Sequence, residues 1–158
     1  MPLLLTAKAS PTEVVAVLVI IVILFAIFIL PWVFFLLTMQ RAFNNVSPEH
    51  QMNSPGMVWL CLIPLVGHIY LFIMVGNLAT SLKREYEMRG WHQPNEDYGN
   101  TMGIVMASLH LANLFFLWII SALPGLVLFI IYWVRISKLS KALESDEPAP
   151  AFVNKPPV

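Results

Sequence analysis

Residues 101–134 read TMGIVMASLHLANLFFLWIISALPGLVLFIIYWV, and how this stretch is divided decides the fold. As a single helix it would be about 51 Å long, far more than the roughly 30 Å hydrocarbon core of a bilayer. Pro124 and Gly125 sit inside it and form the best local signal for a tight connection. The stretch is therefore expected to fold as two helices, at about 102–120 and about 124–143. The second keeps only a short apolar segment before Arg135, so Arg135, Lys138 and Lys141 are expected to snorkel outward to the interface.

Two earlier runs are also apolar. Val14 to Leu37 carries no charge and no polar side chain, with Pro31 its only irregularity. Ser10, Thr12 and Glu13, with Pro11 among them, read as a helix start, which gives a helix at about 13–38. The run is too long for a signal-peptide core and no small-residue cleavage site follows, so it reads as a retained signal anchor. Met57 to Leu78 is interrupted by Pro64, Gly67 and His68. It is expected to form a bent helix at about 57–81 that continues as an amphipathic stretch to 89, stopped by Gly90.

Charge placement tests the four-helix division. With four helices every Lys and Arg except Arg41 falls on the side shared by the N-terminus, the second loop and the C-terminal tail. With three helices the bias disappears. The positive-inside rule then predicts an all-α, integral membrane four-helix bundle with N- and C-termini cytoplasmic. Trp32, Trp59, Trp118, Tyr132 and Trp133 lie near the expected span ends, as an aromatic belt would. Residues 1–145 read as one transmembrane domain, and 146–158 as a flexible, Pro-rich tail.

Composition agrees. The 158 residues are 58% apolar and 11% charged, against about 25% charged in soluble domains. Nine basic residues balance nine acidic ones, so nothing points to nucleic acid as a partner. The one cysteine, Cys61, forms neither an internal disulfide nor a cysteine zinc site, and it reads as apolar packing. No nucleophile elbow, phosphate loop, zinc-protease pair or dinucleotide fingerprint occurs. No catalytic residue and no metal site are expected, and the chain reads as non-enzymatic. His50 and His92 fall in polar loops and read as solvated. The run Lys83 to Arg89 reads as a solvated helix face, with docking of a cytoplasmic partner or anionic headgroups as its functional alternative. Gly103 and Ala107 form a small-residue pair suited to close helix packing.

Polar groups inside a membrane are costly, so His68, Asn77, His110 and Asn113 stand out. Counted from the cytoplasmic side, His68 and Asn113 lie at roughly 19 and 18 Å, and His110 at roughly 13 Å. The structural reading pairs His68 with Asn113 across the bundle, a contact of about 0.6 kcal/mol. The alternative is a cofactor: His68 and/or His110 as axial ligand of haem b or a chlorophyll-type pigment, with Gly67 leaving room for a flat ring. A small transporter or channel, with Asn77, His110 and Asn113 along its path, comes third.

The stretch from Ser54 through Pro55, Gly56, Trp59, Pro64 and Leu65, continued by Phe72 to Val75 and by Ser81, Leu82, Glu85, Arg89 and Gly90, carries a resemblance. It resembles a family of small uncharacterised bacterial inner-membrane proteins, whose pattern is P-G-x-V-W-L-x-L-I-P-L followed by S-L-x-x-E-x-x-x-R-G. Ile131 to Ile136 gives a looser echo. The similarity runs over residues 38–140 and is dense only in the second helix. The family usually has Asn near Gly67 and a hydrophobic residue near His68, and here the chain departs from it. The resemblance implies a multi-pass protein of the bacterial inner membrane and a compact helical bundle, and it implies no activity. The resulting expectation is an accessory or structural subunit, held by the lipid bilayer and by other membrane-protein subunits of a larger complex, for instance a respiratory or photosynthetic one.

Overall fold

The computed structural model describes residues 10–114 and 118–148, and their side chains except those of residues 28, 113, 114 and 118–122. The described residues hold four α-helices, two 3-10 segments and no strand. The chain forms two units, Met1–Phe34 and Phe35–Val158.

Helix α1 spans Pro11–Asn44. Its start is a capping box: the Ser10 amide donates to Glu13 Oε2 at 2.7 Å, and the Glu13 amide donates to Ser10 Oγ at 3.3 Å. Pro11, in the first turn, needs no amide hydrogen there. In the first unit most of the described apolar side chains from Val14 to Leu30 are exposed, and Ala26 and Ile29 are half-buried. From Phe35 the same helix becomes one-sided. Phe35, Leu36, Met39, Ala42 and Phe43 recur at helical spacing and are fully buried.

The second unit packs around those residues. After a 3-10 turn at Pro48–His50, an eight-residue 3-10 helix runs over Pro55–Leu62. The chain then reverses. The amide of Val66 donates to the Pro64 carbonyl at 2.8 Å, and that of Gly67 to the Ile63 carbonyl at 2.7 Å. Leu65, at φ 66° and ψ −59°, is the centre of a positive-φ γ-turn, the tightest reversal a backbone makes. Helix α2 (Val66–Met88) returns alongside the 3-10 helix: Met52 N meets Ser81 Oγ at 2.9 Å, and Asn53 Nδ2 meets Met74 Sδ at 3.2 Å. The expected bent helix is thus a hairpin. Proline tolerated in a bend and proline opening a turn look alike in sequence; what separates them is Gly67, where an added Cβ would lie 2.3 Å from the Cys61 carbonyl oxygen.

Helix α2 ends as Gly90 dictates. Gly90 has φ 70°, and the Trp91 amide donates back to the Tyr86 carbonyl at 2.8 Å. Helix α3 covers Asn100–Leu114 and α4 covers Trp118–Ser145. Pro124 and Gly125 therefore lie inside α4, not at the connection. Pro124 withdraws one hydrogen bond from the second turn of a 28-residue helix, a loss that a helix interior tolerates when neighbours pack on it. α1, and α4 from Leu123 on, are long and apolar enough to cross a membrane. The 15-residue α3 is shorter than a span.

Candidate functional site: an imidazole pair and a buried ion network

α2 and α3 run antiparallel, and one close approach sets their register. A Cβ added at Gly103 would lie 2.2 Å from Val75 Cγ1 and 2.8 Å from the Tyr132 ring. His68 lies about two turns before Val75, and His110 about two turns after Gly103. The register thus brings the two imidazoles together, stacked with centroids 5.1 Å apart and planes 24° apart. Both are half-buried. His68 therefore faces His110; the pairing expected between His68 and Asn113 falls on a side chain outside the described residues. Each neutral ring offers one donor and one acceptor nitrogen. The rings meet face to face, so a flat macrocycle has no slot between them. A ligand of both would have to reach their edges. Among the described residues no third His, Cys, Asp or Glu completes a metal-holding group. Asn77 is half-buried on α2, its carbonyl accepting from Ser81 Oγ at 2.7 Å.

The other end of this unit holds a polar network that the sequence did not announce. Glu85 is 3% exposed. Its carboxylate accepts from the Ser47 amide at 3.0 Å, Ser47 Oγ at 3.1 Å and Arg89 Nε at 3.0 Å, and it meets His50 Nδ1 at 2.8 Å. Burial alone would raise its pKa. The hydrogen bonds from His50, Ser47 and Arg89 outweigh burial and hold the group at about 2. Arg89 reaches on to the Leu143 carbonyl at 3.2 Å and to Asp146 at 2.8 Å, and lies over the Trp91 ring. Two readings are corrected here. His50 is an ion-network member, not a solvated loop residue, and the face from Lys83 to Arg89 is solvated only at Lys83, Arg84, Glu87 and Met88. The signal available was the Glu85–Arg89 spacing of four on a helix.

A second cluster joins α4 to the connection before α3. Arg135 pairs with Glu96 and, at 2.8 Å, with Asp97. It turns inward, with its side chain 15% exposed, and does not snorkel. Asp97 also accepts from the amides of Gly99 and Thr101, both at 3.0 Å, and so caps α3. Burial raises its pKa, but those bonds and the nearby Arg135 hold it below the usual value. Tyr132 is core rather than belt: it is fully buried, and its hydroxyl has no hydrogen-bond partner among the described residues. Trp133 and Trp59 each donate from Nε1, to Thr38 Oγ1 at 2.8 Å and to Gln40 Oε1 at 3.1 Å. His92 is exposed, with its Nδ1 2.9 Å from the Tyr98 hydroxyl.

These contacts also relocate Arg41. It pairs with Glu144 at 3.0 Å, and neighbouring Asn45 donates to the Ser140 carbonyl at 3.0 Å. Arg41 therefore stands at the same end as Lys83, Arg84, Arg89, Arg135, Lys138 and Lys141, not alone on the opposite side. Lys8, Lys155 and the tail from residue 149 lie outside the described residues. The chain matches no family model, no curated protein and no solved structure.

Proposed function

We propose that the chain is a small, non-enzymatic membrane protein of the bacterial inner membrane, serving as an accessory subunit that packs against larger membrane partners. One observation carries this reading: between Val14 and Leu30 most of the described apolar side chains of α1 stand about half exposed or more. In water such a surface would cost about 25 cal/mol per Å², so lipid tails or apolar partner helices must cover it. The gathering of the described basic residues at one end of the second unit supports a cytoplasmic placement of that end.

The test is gentle extraction from native membranes, followed by size analysis and identification of what travels with the protein. A stoichiometric partner is the expected result; a solitary monomer in mild detergent sinks the accessory role. The stacked imidazoles support a second reading, a haem- or pigment-binding subunit ligated at a ring edge. A visible band in the purified protein, lost in His68→Ala or His110→Ala but kept in His92→Ala, would establish it, and a colourless folded protein would remove it.

A further inference from the structure

We infer that the hairpin formed by the 3-10 helix Pro55–Leu62 and α2 is re-entrant: it enters the bilayer from the polar end, turns inside the hydrocarbon at Ile63–Leu65 and leaves on the side it entered. The inference rests on the proposed membrane location and adds to it where this part of the chain turns. Three observations converge.

The first is direction and depth. Ser47, His50 and Met52, before the hairpin, and Ser81, Glu85 and Arg89, after the apolar part of α2, are hydrogen-bonded to one another. The hairpin therefore begins and ends at one level. From Lys83, the charge closest to the tip on α2, up to Val66 is about 26 Å, and the eight residues of the ascending 3-10 helix rise about 16 Å. Both fall short of the roughly 30 Å hydrocarbon core.

The second is what the tip is made of. From Met57 to Gly67 no residue has a charged or hydrogen-bonding side chain apart from the Trp59 indole and the Cys61 thiol. Leu62, Ile63, Leu65 and Val66 are exposed at the tip by 42–63%. A turn that emerged into water would be expected to carry polar groups; this one presents four aliphatic side chains outward.

The third is the backbone. Irregular chain survives at membrane depth only if its polar groups are satisfied by protein. Here the amides of Ile63, Val66 and Gly67 bond to the carbonyls of Leu60, Pro64 and Ile63 at 3.1, 2.8 and 2.7 Å. Pro64 has no amide hydrogen to satisfy. Gly67 and Cys61 are buried against each other on the inner face of the turn. Three of the four amides in residues 63–67 are thus bonded within the protein, and the surroundings that fit this aliphatic tip are the acyl chains of the bilayer.

The experiment uses the full chain in sealed vesicles of both orientations. Cys61 is replaced (Cys61→Ala), and single cysteines are introduced as Leu65→Cys, with Val66→Cys as a second tip probe and Lys83→Cys as reference. A membrane-impermeant maleimide is applied. The expected result is labelling of Lys83→Cys from one side only, and of the tip cysteines from neither side until detergent is added. A bimane on the tip should be quenched by acyl-chain nitroxides more than by headgroup nitroxides of either leaflet. Tip labelling from the side opposite Lys83 means a full crossing and overturns the inference while leaving the membrane reading intact. Tip labelling from the Lys83 side places the hairpin outside the bilayer and also overturns it. Release of the protein by alkaline carbonate would instead defeat the membrane reading itself.

Discussion

Glu85 is where a single residue carries most. It ties the connection after α1 to α2 through Ser47 and His50, and through Arg89 it reaches the end of α4. A carboxylate held at about 2 against an ordinary value of 4.5 stabilises the fold fully above pH 4.5. That stabilisation is lost as the pH falls from there through the folded value, because the unfolded chain binds the proton first. Thermal unfolding in detergent should show this loss in the wild type, and Glu85→Gln should abolish that part of the pH dependence. Glu85→Ala should cost about 3 kcal/mol at neutral pH, since it leaves His50 and Arg89 partly buried without their shared partner. Beyond its place in the resemblance, the sequence assigns Glu85 no structural role, because a Glu between Arg84 and Tyr86 in a mixed-charge run reads as solvent-facing. Only the folded register shows that Glu85 and Tyr86 point inward while Lys83, Arg84, Glu87 and Met88 point out. The neighbours of Glu85 along the chain carry structural roles as well: Ser81 bonds the Met52 amide, Leu82 is fully buried, Arg89 pairs with Glu85, and Gly90 ends the helix.

Elements here are positioned by two glycines more than by their own propensities. At Gly67 an added Cβ meets backbone, which has little room to yield; at Gly103 it meets the side chains of Val75 and Tyr132. Gly67→Ala should therefore cost about 1–3 kcal/mol by forcing the hairpin open. Leu65→Gly should gain about 1 kcal/mol or more by relieving a φ that an L residue disfavours. Gly103→Ala should destabilise, and Val75→Ala in the same chain should recover part of the loss, a coupling that a double-mutant cycle in detergent would measure. The same cycle reports on the His68–His110 stack, since the Gly103 contact sets its register. Much of the element level was legible: the start of α1 at Ser10–Glu13, the stop at Gly90 and the all-helical class follow from local chemistry. The hairpin at Pro64 was not, because its decisive residue is a leucine in a conformation no propensity scale anticipates. Pro124–Gly125 misled for the opposite reason: a strong local turn signal gave way to the continuity of a long apolar helix.

At the scale of the whole chain, the contrast to explain lies within α1. Up to Leu30 most of its described apolar side chains are exposed, whereas from Phe35 onward one face is buried in a core shared with Phe129, Tyr132 and Trp133. A segment that served only as an anchor would need hydrophobicity and length and nothing else, because lipid tails do not distinguish one aliphatic surface from another. A segment that recognises a partner helix needs its particular shape, with Ala26 as well as the β-branched residues in place. Replacing residues 14–30 by a leucine–alanine helix of equal length separates the two roles. The exchanged chain should remain in the membrane and keep the fold of residues 35–148, read from thermal unfolding, because the Glu85 and Arg135 networks lie wholly within that unit. If α1 is the docking surface of an accessory subunit, co-purification of the partner should be lost at the same time. Partner retention would place the contact on the second unit, where Ile69, Ile73, Ile130 and Val134 present exposed aliphatic side chains. A charge is the sharper probe: Ile23→Arg should cost about 2.5–3.5 kcal/mol of insertion free energy at the span centre. Carbonate extraction should then release a larger fraction of this variant than of the leucine–alanine exchange.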